Sequence, residues 1–121
     1  MHQDSPLESS ENLTELYSAI LALKNPGEIE LFLRDVLTDT ELKEISERWH
    51  VARLLAAGFS YTQVISETGL SSATVARVAS WLKNGSGGYR LALERVGKLR
   101  AIRSSLREKT LEQKGIEIYV E

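Results

Sequence analysis

The side chains best suited to chemistry in this sequence lie at residues 60–79, and the chemistry they fit is hydrogen bonding to another macromolecule. Two short stretches with apolar residues at helical spacing flank Gly69, which adopts the positive φ of a tight turn at little cost. Ser71 follows the turn and is a good N-cap for the second stretch. This arrangement predicts a helix-turn-helix. We expect its helices to be packed together by Val64, Ile65, Leu70, Val75 and Val78.

The second helix of this motif is expected to expose small and basic side chains, and such helices read base edges with residues near their N-terminus. Ala73 or the methyl group of Thr74 can contact a thymine methyl, and Ser72 can hydrogen-bond several bases. Arg77 can reach a guanine edge or a phosphate, while the first helix crosses the DNA backbone. We therefore expect double-stranded DNA as a partner, bound by Ser60, Thr62, Ser71, Ser72, Ala73, Thr74, Ala76, Arg77 and Lys83.

A helix-turn-helix does not always bind DNA, and two alternatives stay open. Gly69, Leu70 and Ser71 can form an ordinary connector between two helices. The motif can also dock on another protein, so that the chain is a helix-turn-helix protein-interaction module without sequence-specific DNA binding. Strongly salt-dependent DNA binding distinguishes a regulator from such a module.

No set of residues for catalysis or metal binding is visible in the sequence. It has no Cys, and its two histidines, His2 and His50, lie far apart; no metal site is predicted from them. The glycine-rich stretch 85–88 follows a helical pattern and lacks the lysine of a phosphate-binding loop. Acidic residues such as Glu28 and Glu30 lie in first turns of helices, where negative charge is favourable. We expect no enzyme activity, no catalytic residues and no cofactor.

The elements that must position the motif are helical. Apolar residues recur with a period of about 3.6, and we predict an all-α fold of six helices. Thr38 is expected to cap the third helix in a capping box with Glu41. Residues 115–121 alternate apolar and polar like a short strand. The expected organisation is a flexible N-terminus at 1–12, the helix-turn-helix domain at 13–96, and a C-terminal helical extension with a short tail at 97–121.

Length and composition favour one globular domain in a reducing compartment. The 121 residues are 42% hydrophobic and 26% charged, which is typical of a folded chain. No apolar run approaches the roughly 18–20 residues that cross a bilayer, so no membrane association is expected. The absence of Cys suits the cytoplasm, which is the predicted location.

The net charge of −2 conceals two unlike halves. Residues 1–47 contain eleven acidic and three basic residues, whereas residues 48–89 and 90–121 each carry a net charge of +3. Because binding depends on the field of one face and not on the total, the composition does not exclude DNA.

The sequence resembles the tryptophan-repressor-like proteins, and within them the YerC/YecD subgroup, over about residues 13–96. The resemblance rests on several segments taken together, since the helix-turn-helix alone is not specific. These segments are Ala19-Ile20-Leu21-Ala22-Leu23-Lys24-Asn25, Leu37-Thr38, Glu47-Arg48, Val51-Ala52-Arg53-Leu54-Leu55, Glu67-Thr68-Gly69, Ala73-Thr74-Val75-Ala76-Arg77-Val78, Tyr89 and Leu93-Glu94-Arg95-Val96.

The resemblance implies an intertwined homodimer with a tryptophan-repressor-like fold, in which two reading heads lie one DNA turn apart. The first three helices and the sixth would build the dimer. It also implies a transcription regulator, and by family analogy a repressor.

The resemblance further implies where an effector pocket would lie. The tryptophan-binding threonine and arginines correspond to Thr38, Arg48 and Arg77, but the glycine and serine positions hold Val78 and Trp81. Because these larger side chains would fill the space of an indole, tryptophan binding is not expected. Thr38 is otherwise a helix cap, and Arg48 is otherwise a partner of Glu44 or Glu47 or a dimer contact.

Overall fold

A computed structural model describes residues 10–113 and Gly115, and these residues form six α-helices and no strand. The helices are α1 (Glu11–Ala22), α2 (Pro26–Val36), α3 (Asp39–Ala56), α4 (Tyr61–Thr68), α5 (Ser72–Asn84) and α6 (Gly88–Gln113). The predicted all-α fold with six helices is confirmed. The predicted strand at 115–121 lies outside the described residues except for Gly115, which is in a turn. The chain divides into two units, residues 1–44 and residues 45–121.

The first unit is held in shape by local caps. Ser10 Oγ accepts a hydrogen bond from the Leu13 N–H, so α1 begins at Glu11, two residues earlier than the expected domain start at 13. Asn25 caps α2 in the same way, with Pro26 at the first helical position, where the missing N–H of proline costs nothing. Neither α1 nor α2 has a buried residue.

The second unit is built on a buried aliphatic core. Val51 and Ala52 of α3, Val64 of α4, and Val75 and Val78 of α5 are at most 1% exposed. Complete burial of one valine side chain contributes about 1.5–3 kcal/mol. Ile65 and Leu70 are partly buried against this cluster, so the apolar packing predicted for the helix-turn-helix is confirmed.

The turn of the helix-turn-helix is fixed by a cap on each side and by Gly69 at its centre. Ser60 and Gln63 form a capping box at the start of α4. Gly69 has a φ of 71° and ends α4 in the left-handed region. Ser71 Oγ then accepts the Thr74 N–H at the start of α5. This reversal over a short connection sets the angle at which α5 leaves the turn.

Arg90 connects α6 to the end of α5. Its Nε donates to the Leu82 carbonyl oxygen at 2.6 Å, and its Nη2 donates to the Lys83 carbonyl oxygen at 3.0 Å. These bonds satisfy acceptors that the end of a helix leaves free. From there α6 continues without a break across the expected domain limit at 96/97 as far as Gln113. Among the described residues, no helix is both long and apolar enough to cross a bilayer.

Replacement of Gly69 by Ala is expected to lower the free energy of unfolding by about 1–2 kcal/mol, because a Cβ is unfavourable at positive φ. Apart from the glycine and its two chain neighbours, no atom lies within 4 Å of the position of the new Cβ, so the loss would come from backbone conformation and not from a clash. Urea unfolding measures it. Gly97→Ala is the matched control: Gly97 lies inside α6 with open space around it, and its replacement should stabilise the helix by about 0.5–1 kcal/mol. Equal effects of the two substitutions would contradict the turn assignment.

Candidate nucleic-acid interface

The start of α5 presents a face of small side chains and one arginine. Ser72, Ala73, Ala76 and Arg77 are exposed, whereas Val75 on the opposite side of the helix is completely buried. Such a face allows the helix to approach a DNA groove closely, since the exposed side chains before Arg77 are all small. Four of the sequence-predicted DNA-binding residues therefore lie together on an accessible surface.

Two further candidates, Ser71 and Thr74, hold the helix start in place. Ser71 Oγ is 2.9 Å from Thr74 Oγ1 and accepts the Thr74 backbone N–H at 3.1 Å. Thr74 is half-buried. The hydroxyl groups of both residues are thus hydrogen-bonded within the chain. These bonds fix the first turn of α5 and orient its backbone N–H groups.

The remaining candidates also divide into a residue that caps a helix and residues that are exposed. Ser60 is engaged in the capping box with Gln63, which sequence reasoning missed although the Ser-x-x-Gln spacing was visible. Thr62 is exposed one residue into α4, and Lys83 is exposed in the last turn of α5.

The charge at the helix starts distinguishes the motif from the helices before it. The first turns of α1, α2 and α3 contain acidic residues, whereas those of α4 and α5 contain none. An acidic side chain at a helix start compensates the positive end of the helix dipole. The starts of α4 and α5 therefore keep an uncompensated positive potential, which suits a phosphate. The absence of acidic residues from these two helix starts could have been read from the sequence.

Thr38, which the resemblance placed in an effector pocket, is engaged in the predicted capping box. The Thr38 N–H donates to Glu41 Oε1 at 2.9 Å, and the Glu41 N–H donates to Thr38 Oγ1 at 3.1 Å. The bond from the Thr38 backbone, followed by that from its side chain, lowers the pKa of the Glu41 carboxyl below its usual value. Thr38 belongs to the first unit, whereas Arg48 and Arg77 belong to the second.

Arg48 contacts the Trp81 ring instead of the acidic neighbours proposed for it. Its guanidinium carbon lies 5.7 Å from the centroid of the Trp81 ring, within the range of a cation–π interaction. The alternative of a pairing with Glu44 or Glu47 is wrong for the described residues, because the ion pairs among them do not include Arg48. Arg77 is exposed on the outer face of α5.

Trp49 and Tyr89 form a stacked pair next to this contact. Their ring centroids are 6.4 Å apart and the ring planes are nearly parallel. Burial raises the pKa of the Tyr89 phenol, and the positive charge of Arg48 opposes this shift.

Val78 is 1% exposed and packed in the core, and Trp81 is 39% exposed. Within the described residues, no group of His, Cys, Asp and Glu could hold a metal ion.

The fold and this surface define a protein of the helix-turn-helix class, and comparison with known proteins specifies the family. Residues 11–97 match the model of the Trp repressor protein family. The chain is 39% identical over 84 residues to the uncharacterized protein YerC of Bacillus subtilis (strain 168), a match that covers 69% of this chain and 81% of that protein.

Two crystal structures have the same fold. A TrpR-like protein from Eubacterium eligens ATCC 27750 superposes with a TM-score of 0.69 at 36% identity, covering 73% of this chain and 91% of that one. A candidate Trp repressor from Staphylococcus aureus gives a TM-score of 0.70 at 35% identity, with 74% and 89% covered.

The chain belongs to the Trp repressor family and is similar to its YerC relatives. The resemblance stated from the sequence is confirmed. The family and the fold are those of DNA-binding regulators and not of enzymes. The family match ends at residue 97, while α6 continues to Gln113.

The capping box of Thr38 predicts how the start of α3 responds to acid. Because the folded-state pKa of Glu41 is lowered, its stabilising effect is complete above the unfolded-state pKa and is lost as the pH falls through the folded-state pKa. Amide exchange of the first turn of α3, followed by NMR, should accelerate over that range. In Glu41→Gln this part of the pH dependence should disappear, since glutamine keeps the capping box without a titrating group.

The matched variant Thr38→Ala removes the side-chain bond and leaves the backbone N–H in place. The pKa of Glu41 should therefore rise part of the way to its ordinary value. An unchanged pKa would mean that the Thr38 hydroxyl is not engaged in the cap.

Proposed function

We propose that this protein is a sequence-specific DNA-binding transcription regulator, a repressor by family analogy, that acts as a homodimer in the cytoplasm. The start of α5 enters the major groove, where Ser72, Ala73, Thr74 and Ala76 meet base edges and Arg77 meets a guanine or a phosphate. Ser60, Thr62, Ser71 and Lys83 lie toward the DNA backbone. Operators would be near-palindromic, with half-sites separated by about one helical turn.

The observation that carries this proposal is the exposed start of α5. Its accessible face combines small side chains with Arg77, and the first turns of α4 and α5 contain no acidic residue. Backbone N–H groups at the start of a helix and a nearby guanidinium are the groups that commonly contact phosphates and bases. The negative net charge of residues 1–47 would limit non-specific binding.

The apolar surface of the first unit supports the homodimer. The exposed fractions of Leu21, Leu31 and Tyr17 are 86%, 70% and 58%. Side chains of this kind usually mark a protein contact when several occur together. A second copy is the partner that the family resemblance implies.

L-Tryptophan is not expected to act as an effector. The residue at the position of the indole-contacting glycine, Val78, is packed in the core, and Trp81 is in contact with Arg48. Thr38 has its hydroxyl in a helix cap. A ligand of the same shape would have to displace these contacts, so the DNA affinity should not change when L-tryptophan is added.

The test of DNA recognition is selection of bound duplexes from a random pool by the purified protein. We expect enrichment of a near-palindromic sequence. Arg77→Ala should weaken binding to it by about 1–3 kcal/mol for each protomer if Arg77 contacts a base, or reduce the salt slope by about one if it contacts a phosphate. Arg34→Ala is the control, because it removes the same charge from an exposed position of α2.

No enrichment at low salt would favour the protein-interaction module and exclude the regulator. Equal effects of Arg77→Ala and Arg34→Ala would show that only the overall charge matters.

The homodimer is tested separately by sedimentation of Leu21→Glu. Because Leu21 is 86% exposed in the single chain, the substitution should not destabilise the helices themselves. It should weaken dimerisation by about tenfold or more if Leu21 is buried by a second copy, since an unpaired carboxylate is costly to bury. Leu106→Glu is the control: Leu106 is 58% exposed and lies in the part of α6 beyond the family match, outside the segment for which the resemblance implies a dimer. A monomeric wild-type protein at every concentration would exclude the homodimer.

A further inference from the structure

The second unit contains a cavity of about 510 Å³ that is wide open to solvent and is lined on α5 by Ala79, Leu82 and Lys83. It lies where the end of α3, the loop before α4, the end of α5 and the start of α6 meet. Its apolar walls include Leu55, Ala79, Leu82 and Leu93. The volume is within the range of sites that bind small molecules.

The charged residues that line this cavity are all basic. Lys83 and Arg90 are these basic residues, Tyr61 contributes a phenol, and Phe59 contributes an exposed ring. No acidic residue of the described chain lines the cavity. An apolar space with two cations and no carboxylate is complementary to a molecule with a hydrocarbon body and one anionic group.

Arg90 is held in place before any ligand arrives. Its Nε and Nη2 donate to the carbonyl oxygens of Leu82 and Lys83, which leaves the other terminal nitrogen without a hydrogen-bond partner among the described residues. Lys83 forms no ion pair among those residues. An arginine whose position is fixed loses less conformational entropy when it binds an anion.

We infer that this cavity binds a small amphipathic carboxylic acid. The ring system or branched hydrocarbon of the acid lies between Phe59, Tyr61 and Leu82, and its carboxylate contacts Lys83 and Arg90. The site is distinct from the effector pocket that the family resemblance implied, because none of Thr38, Arg48 and Arg77 lines it.

A bound acid would also reduce DNA binding, and this consequence rests on the proposed function. Lys83 is one of the residues proposed to face the DNA backbone. A carboxylate that engages its ammonium group competes with a phosphate for the same charge.

The binding test uses naphthoate and the neutral naphthamide, which have the same ring system, and follows the amide resonances of the isotope-labelled protein without DNA. Naphthoate should shift the resonances of residues at the cavity and bind about tenfold more tightly than naphthamide. Lys83→Gln should weaken naphthoate binding by about tenfold and leave naphthamide unchanged. Lys98→Gln, in an exposed ion pair of α6, is the matched control and should change neither.

A second variant tests the location of the site. Ala56 lines the cavity from an exposed position at the end of α3, and the neighbouring Ala57 is exposed and does not line it. Ala56→Trp should abolish the binding of both compounds, whereas Ala57→Trp should not. Equal affinities for the acid and the amide, or binding that survives Ala56→Trp, would overturn the inference.

The compounds would fail to bind if a second copy fills the cavity, and Ala56→Trp would then lower the measured mass of the dimer. This result would also overturn the inference.

The proposed effect on DNA binding has its own test. Naphthoate should weaken binding to the selected operator in the wild type but not in Ala56→Trp. If the compound binds and the affinity for the operator does not change, competition at Lys83 is excluded. If no operator is found, the proposed function fails. The titration without DNA still decides whether the cavity binds the acid.

Discussion

Burial of aliphatic side chains between α3, α4 and α5 is the interaction on which the rest of the second unit depends. Val51, Val64, Val75 and Val78 are withdrawn almost completely from water. Because β-branched side chains have few rotamers, their contacts fix the angle between α4 and α5 closely. The exposed start of α5, the contact of Arg48 with the Trp81 ring, and the cavity behind α5 are all formed around these residues.

Charge is separated along the chain in a way that matches this architecture. The helices of the acidic segment 1–47 have carboxylates in their first turns, which compensate their dipoles. The two helices of the helix-turn-helix lack them. A nearly neutral protein can therefore have helix starts with a positive potential in its helix-turn-helix, which the total charge does not reveal.

The sequence was sufficient to predict which residues of the candidate site are exposed. It was not sufficient to predict which hydrogen bonds their side chains form. The exposure of Ser72, Ala73 and Arg77 followed from helical periodicity, since Val75 and Val78 had to point inward. The engagement of Ser71 and Thr74 with each other depends on side-chain rotamers, which a spacing rule does not determine. Sequence reasoning also missed the cap that Arg90 forms on the end of α5, because it joins residues of two helices across a turn.

The sequence by itself determined the six helices, their caps and the turn at Gly69, because these depend on interactions between residues a few positions apart. It also carried the family membership through several separate segments. Only the tertiary structure decided that Arg48 faces an aromatic ring instead of an acid, and that Lys83 and Arg90 share one cavity. Contacts of this kind depend on how helices cross in three dimensions, and helix crossing follows from the packing of the whole core and not from local spacing.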